Sequence, residues 1–448
     1  MSSYKLTYFD FTGLGEPIRY MLSYAGIKFE DFRITLEEWP KHKHQMPMEQ
    51  LPVLEIDGKE YHQSMPLGRF LAKKSNVYST DDLEALQIDA AVSCINDLRQ
   101  ALANYFWSDE PERKEKLKAE AEKRLTFFLG KFESWLQSNG GHFVGNKVTW
   151  ADINYVSLHD YFCAMLERDI VEGYPNLKKL VNEINSIPNI KAYLEKRPKT
   201  RFDDVQGLPY SIIINTSHWL KILITIDQPS EYQSPIETHR FERRKFFKMS
   251  TYKLTYFNFT GLGEPIRFLL NYGGVDFEDI RLEKDNFPAV KSQFPLQQLP
   301  VLEIDGKVYC QSMAIIRLLA KKFNLFGSDP FETYEIDAAL ETITDVRMTL
   351  MFWLRTTDEA AKAAQENEIL QKAAVYLRKL DSGVKNGHLA GGKLSAADIV
   401  WASYSPMFNY YFAKFINDEY SNLKKVVATV EALPSIKSYL AKRPKTEF

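Results

Sequence analysis

Tyr4-Lys5-Leu6-Thr7-Tyr8-Phe9-Asp10-Phe11-Thr12-Gly13-Leu14-Gly15-Glu16-Pro17-Ile18-Arg19 stands near the start of the chain. The alternation of Tyr4, Leu6 and Tyr8 predicts a short strand, because strand side chains point to opposite faces with a period of two. Thr12 to Gly15 breaks that strand. Glu16-Pro17 then opens a helix, since a proline in the first turn loses no hydrogen bond and has its φ already set. A strand therefore delivers Tyr8 to the edge of a turn, with a helix beginning a few residues later. Tyr252 to Arg267 repeats the whole stretch, letter for letter, except that Asn258 replaces Asp10.

Shifting the chain by the same distance aligns Leu51-Pro52-Val53-Leu54-Glu55-Ile56-Asp57-Gly58-Lys59 with the segment from Leu299 to Lys307. It also aligns Gln63-Ser64-Met65 with Gln311-Ser312-Met313, and the segment from Ile88 to Ala91 with that from Ile336 to Ala339. The match weakens and slips, then returns at Lys196-Arg197-Pro198-Lys199-Thr200 and Lys442-Arg443-Pro444-Lys445-Thr446. A period this long means a duplicated whole protein rather than a solenoid of small repeats. Each copy divides in two. Residues 1–78 and 249–326 alternate strand and helix patterns and predict small α/β domains. Residues 81–202 and 329–448 predict long amphipathic helices broken at Gly140-Gly141, Gly173 and Pro188. Thr149-Trp150-Ala151-Asp152, and its repeat at Ser395 to Asp398, predict capped helix starts with no chemistry of their own.

Residues 203–248 have no counterpart and predict a linker. The apolar run from Tyr210 to Ile226 is interrupted by Asn215, His218 and Lys221. A membrane helix needs about 20 apolar residues, so no span is expected. The basic run from Arg240 to Lys248 reads as a solvated linker end. Met249-Ser250-Thr251-Tyr252 mimics the start Met1-Ser2-Ser3-Tyr4, as if the second copy retained its own former initiator.

The 448 residues exceed one ordinary core. A net charge of −2 argues against a nucleic-acid binder. Cys94, Cys163 and Cys310 form neither a CxxC pair nor a disulfide framework. With no signal-like apolar run at Met1, the cytoplasm is the expected location.

On residue type alone, Tyr8 and Tyr256 are packing residues of a strand. Pro52 and Pro300 are strand-start prolines, Ser64 and Ser312 are N-caps, and Asp97 and Asp345 are polar residues on helices. The combination says more. Tyr4 to Phe9, Glu16-Pro17-Ile18-Arg19, Gln50-Leu51-Pro52-Val53-Leu54, Gln63-Ser64 and Trp150-Ala151-Asp152 together resemble a cytosolic glutathione S-transferase. The nearest likeness is to the sigma class, which includes glutathione-dependent prostaglandin D synthase. The resemblance covers nearly all of 1–202 and 249–448.

That resemblance implies a thioredoxin-like domain followed by an all-helical domain, the pair present twice. It implies an enzyme that joins the glutathione thiolate to small electrophiles and also reduces lipid hydroperoxides, with glutathione as co-substrate and no metal. Two alternatives accompany it: a glutathione-dependent prostaglandin D2 isomerase, and a non-catalytic crystallin-like structural protein. Tyr8 and Tyr256 become hydrogen-bond donors to the sulfur; a thiol ordinarily titrates near 8.5, and a donor to its charged form lowers that value. Leu51-Pro52 and Leu299-Pro300 become cis peptides that present backbone to the tripeptide. Gln50 and Gln298 precede them. Gln63-Ser64 and Gln311-Ser312 hold the γ-glutamyl carboxylate at a helix start. Lys43 and Lys291 lie near the glycine carboxylate, beside Trp39 and Phe287, the latter lacking an indole donor. Asp97 and Asp345 complete each other's sites across a pseudo-dimer formed within the chain, or across a homodimer. The linker reaches roughly 35–40 Å as a coil, enough to bridge two halves. Leu14 and Leu262 stand where the prostaglandin synthase has arginine. Phe106, Trp107, Tyr155, Phe352 and Trp353 are candidates for the apolar wall of the acceptor pocket.

Overall fold

The computed structural model describes residues 2–108, 111–199, 250–356, 359–413 and 419–446. The predicted linker, 203–248, lies outside them. In the first half β1 (Tyr4–Phe9) leads through a 3-10 turn at Gly13–Gly15 into α1 (Glu16–Tyr24). There follow β2 (Glu30–Ile34), the short α2 (Trp39–His42), β3 (Val53–Ile56), β4 (Lys59–His62) and α3 (Ser64–Lys74). The helical part comprises α4 (Asp82–Phe106), α5 (Pro111–Ser138), α6 (Trp150–Leu166), α7 (Pro175–Ser186) and α8 (Pro188–Lys196). The second half repeats this order. Its α/β part is β5 (Tyr252–Phe257), α9 (Glu264–Tyr272), β6 (Glu278–Leu282), α10 (Phe287–Val290), β7 (Val301–Ile304), β8 (Lys307–Cys310) and α11 (Ser312–Lys322). Its helices are α12 (Pro330–Leu354), α13 (Glu359–Gly383), α14 (Ala396–Phe412), α15 (Ser421–Glu431) and α16 (Pro434–Lys442).

The first sheet has the order β2-β1-β3-β4, and the second β6-β5-β7-β8. In each, the two strands joined by a helix run parallel and the hairpin partners run antiparallel. Parallel pairing needs a crossover, and α1 and α9 supply it. β1 is central and covered on both faces: Leu6 and Tyr8 on one face and Thr7 and Phe9 on the other are all buried. The capping signals predicted at Thr149 and Ser395 are realised: the Asp152 carboxylate accepts from Thr149 N, Thr149 Oγ1 and Phe143 N at 2.7–2.9 Å. Asp398 does the same for Ser395 and Leu389.

The two halves share their cores. Leu296 and Tyr334 pack into the first core, while Met48 and Leu86 pack into the second. The Tyr334 hydroxyl is clamped on the His62 backbone, accepting from its N–H at 2.6 Å and donating to its carbonyl at 2.5 Å. Each buried aliphatic side chain contributes roughly 1.5–3 kcal/mol. The exposed Lys59–Glu335 pair across the same junction adds about 0–1 kcal/mol. Apolar exchange therefore dominates the contact. At its centre Arg69 binds Asp89 at 2.7 Å and also Asp337, while Arg317 binds Asp337 at 2.8 Å and Glu341 at 2.5 Å, so one carboxylate serves an arginine from each half.

Candidate active site

The tyrosine at the end of β1 is packed under the turn that follows it. Its hydroxyl oxygen accepts a hydrogen bond from the Leu14 backbone N–H at 2.9 Å, and Tyr256 accepts from Leu262 N–H at 3.0 Å. An amide that donates to a phenol oxygen leaves the phenol hydrogen available for another acceptor. Burial pushes the Tyr8 hydroxyl far up, aided by Tyr161 and opposed by the Leu14 amide, Arg19 and Arg99. Burial pushes Tyr256 up to about 12, opposed by the Leu262 amide and Arg347. Both phenols stay protonated at neutral pH, so each is a donor and not a base. Arg19 lies 5.6 Å over the Tyr8 ring, held by Glu16, Asp31 and the carbonyls of Phe9 and Phe11.

Both Leu51-Pro52 and Leu299-Pro300 are cis, as the family resemblance implied. They precede β3 and β7 and line the cleft beside the tyrosines. Gln63 and Gln311 stand before the first residues of α3 and α11 with φ of 69° and 71°. Non-glycine residues are uncommon there, and such outliers point to function. The twist aims each side chain at the other half. The Gln63 amide donates to Asp345 at 2.7 Å, and the Gln311 amide donates to Asp97 at 3.0 Å. Ser64 and Ser312, at the free-amide ends of these helices, face the same cleft.

Trp39 and Phe287 head the short helices α2 and α10 and pack edge-on against Phe9 and Phe257, at 5.5 and 5.2 Å. Lys43 and Lys291 follow one turn later and line the cleft with Gln50, Gln298, Leu299 and Pro300. The residues singled out for glutathione thus reach one cleft between the halves, assembled into two sites that each draw on both halves.

The structure adds groups that the motifs did not mark. Tyr376 on α13 accepts from the Gln50 amide, whereas the equivalent position of α5 is Phe128, buried in the first core. Lys372 on the same helix faces Asp345; burial pulls this amine down to about 7 and pushes the Asp345 carboxyl up to about 7. Burial likewise raises the Asp97 carboxyl, opposed by Gln311, Arg124 and Arg99. Only a comparison of the two copies at Lys372/Arg124 and Tyr376/Phe128 offers a signal for these positions. Of the acceptor-wall candidates, Trp107 lines the cleft, with its indole donating to Tyr161 at 3.0 Å. Tyr155, Phe352 and Trp353 are core residues. Tyr155 packs among Phe132, Phe143 and Phe162, on the face of α6 turned away from Tyr8. Phe106 packs at 4.8 Å on Trp107.

Residues 4–72 and 252–321 match the family described as "Glutathione S-transferase, N-terminal domain", and 96–197 and 344–443 match "Glutathione S-transferase, C-terminal domain". The chain belongs to the glutathione S-transferase family. The Glutathione S-transferase S1 of Drosophila melanogaster is 44% identical over 202 residues, covering 44% of this chain and 80% of that protein. The Glutathione S-transferase of Anopheles gambiae is 40% identical, covering 45% of this chain and 99% of its own length. The Hematopoietic prostaglandin D synthase of Rattus norvegicus is 36% identical, covering 45% and 100%. Each relative thus spans one half, and the family's two domains occur twice in order. The transferase uses glutathione as its co-substrate, and no helix among the described residues is long and apolar enough to cross a membrane.

Proposed function

We propose that Tyr8 and Tyr256 are the catalytic residues of two glutathione-conjugating centres of the sigma type. The chain then acts in the cytoplasm, in detoxification of small hydrophobic electrophiles, as a pseudo-dimer folded from one polypeptide with domains at 1–78, 81–202, 249–326 and 329–448. In each centre the phenol hydrogen is donated to glutathione's sulfur. This favours the thiolate, and the thiol proton leaves to solvent. The sulfur then attacks the electrophilic carbon, a thioether forms, and the leaving group departs with the bonding electrons. In the first centre Leu51 pairs with the tripeptide backbone, Ser64 and the start of α3 take the γ-glutamyl carboxylate, and Asp345 takes its ammonium. Trp39 and Lys43 border the glycine end, with Gln50 and Gln63 as positioning residues. In the second centre Leu299, Ser312, Asp97, Phe287, Lys291, Gln298 and Gln311 take these places.

The observation that carries this reading is the backbone amide bonded to each tyrosine oxygen. It orients the hydroxyl whatever the side chain at Leu14 or Leu262. The test is turnover of a chlorodinitrobenzene-type acceptor by Tyr8→Phe, Tyr256→Phe and the double variant. Removing one preorganised donor from a charge-bearing site costs roughly 10²–10³-fold in rate. Each single variant should therefore retain the activity of the other centre, and the double variant should lose at least that factor. The pH at which rate rises should also move upward as the thiol loses its donor. Bound glutathione with no turnover in the wild type, across several electrophiles and hydroperoxides, would leave the crystallin-like alternative standing.

The two centres differ in their acceptor pockets. Where the first half has Trp107, the second has Arg355, which lines the cleft with Arg347 near Tyr256. Burial and the neighbouring Arg347 pull the Arg355 guanidinium down, so the pair favours an anionic neighbour. We infer that the first centre takes neutral aromatic acceptors and the second takes acceptors carrying a carboxylate, such as fatty-acid hydroperoxides.

A further inference from the structure

Outside the cleft, the end of α6 gathers three side chains of different chemistry. His159 and Cys163 are four residues apart, which places them on one face of the helix. Cys163 Sγ lies 3.5 Å from His159 Nε2. Past the end of the helix, where Glu167 turns the chain with a φ of 54°, Asp169 brings its carboxylate to 3.8 Å from the same Nε2. The three ligand atoms all fall within 4.8 Å of one another. Ligands held at about 2.0–2.3 Å from a tetrahedral ion lie on the order of 3.3–3.6 Å apart, so His159 is nearly in place against both partners, and the Asp169 carboxylate swings in toward the Cys163 sulfur to close the set.

The surroundings hold the three in register. The other ring nitrogen, His159 Nδ1, lies 3.5 Å from the Asp160 carboxylate, whose second oxygen accepts from Arg197 at 2.8 Å. A carboxylate behind a histidine fixes which nitrogen faces outward, as around many metal-binding histidines. Asp169 is steadied by accepting the Val171 N–H at 3.0 Å. The site is reachable, since Asp169 is half exposed while His159 is largely covered. The second half has no equivalent: Ser405, Pro406 and Asn409 stand where the first has His159, Asp160 and Cys163. The ion pairs that Arg197 makes with Glu16 and Asp160 also tie this corner to the Arg19 cluster beneath Tyr8.

We propose that His159, Cys163 and Asp169 form a binding site for one divalent, thiolate-seeking transition metal ion, Zn²⁺ in the first place, in the first half only. One thiolate, one imidazole and one carboxylate make a donor set suited to zinc, with water as the fourth ligand. Binding deprotonates the thiol and releases its proton to solvent. Its structural effect is to pin the end of α6 to the loop that follows. The two glutathione centres need no part in it.

The test is Co²⁺ titration of the full-length chain, without glutathione because that thiol binds metal itself. We expect a thiolate-to-cobalt charge-transfer band in the near ultraviolet that saturates at one ion per chain and is displaced by Zn²⁺. Cys163→Ser should abolish the band, and replacing Cys94 and Cys310 together by serine should leave it. Asp160→Asn should weaken binding about 10–100-fold by releasing the histidine ring. In the unmodified protein Zn²⁺ should slow alkylation of Cys163, read by mass spectrometry, and chelator should restore it. Absence of the band, a band of equal strength in Cys163→Ser, or Cys163 alkylated at the same rate with and without Zn²⁺ would each overturn the proposal.

Discussion

Tyr8 accounts for the two glycines that follow it. A Cβ at Gly15 would lie 2.4 Å from the Tyr8 ring, and one at Gly13, whose φ is 65°, would lie 2.9 Å from its hydroxyl. Gly261 and Gly263 stand in the same relation to Tyr256. The turn is therefore shaped around the phenol, which ties the opening motif to the chemistry more closely than its strand pattern does. Asp345 supplies a pH prediction. Its carboxyl titrates at about 7 in the folded chain, against an ordinary value near ~3.9. The folded state therefore holds that proton more tightly, and this group's effect on stability becomes less favourable as pH rises from about 4 to 7. Ligand binding runs the other way, because glutathione's ammonium needs the carboxylate. In a Tyr256→Phe chain, which reports the first centre alone, KM for glutathione should rise as pH falls below 7, by roughly fivefold between pH 7 and pH 6. Asp345→Asn should raise KM at neutral pH and flatten that dependence. Lys372 changes charge in the same interval, so Lys372→Met should be run beside it. Arg355→Trp should lower kcat/KM for acceptors bearing a carboxylate by about tenfold, the worth of one charge-assisted hydrogen bond, and spare neutral ones; equal losses for both would refute an anion-selective pocket.

Among the helices, the two halves solve one packing problem in opposite ways. Gly68 on α3 faces the Trp150 ring at the start of α6, and a Cβ there would lie 2.2 Å from it. In the second half the equivalent positions are Ile316 and Ala396, both buried. Bulk has moved from one helix to the other. Gly68→Ile alone should overpack the first half and cost about 1–3 kcal/mol in denaturant unfolding. Combined with Trp150→Ala it should recover most of that loss; additive costs for the pair would show that the two sites are not coupled. Element types and order were legible from hydrophobic period and turn residues. The 3-10 turn after β1 and the short α2 and α10 were not, since runs of three or four residues carry too little periodicity to register.

For the molecule as a whole, the buried charge cluster is the most sensitive feature. Asp337 answers both Arg69 and Arg317. Losing one partner of a buried pair strands the other charge and costs about 3–5 kcal/mol. Asp337→Ala should therefore lower stability by about that amount and weaken the junction between halves, measurable as a lower midpoint in denaturant unfolding. A pseudo-dimer should sediment at about 52 kDa with both centres active. A particle of twice that mass, persisting on dilution, would mean that halves pair between chains.

By itself the sequence determined the duplication, the α/β and helical parts of each copy, and the tyrosine, cis-proline and Gln-Ser motifs. Apart from the duplication, which is read by shifting the whole chain along itself, these are local patterns, written in residues close along the chain. The family resemblance already sent Asp345 and Asp97 to the opposite centres; the tertiary structure decided which groups they meet there and what else faces these motifs. Asp345 meets Gln63, Tyr376 meets Gln50, Arg355 stands near Tyr256, and His159 and Cys163 meet Asp169. The first three pairings depend on how helices of the helical domains cross the cleft, and the first two of them join residues in opposite halves. The fourth depends on one left-handed residue at the end of α6. None leaves a periodic trace, because long-range packing selects partners by shape and charge after the local elements have formed. The opening stretch therefore encoded the corner proposed to activate the thiol, and the fold supplied the rest of each site around it.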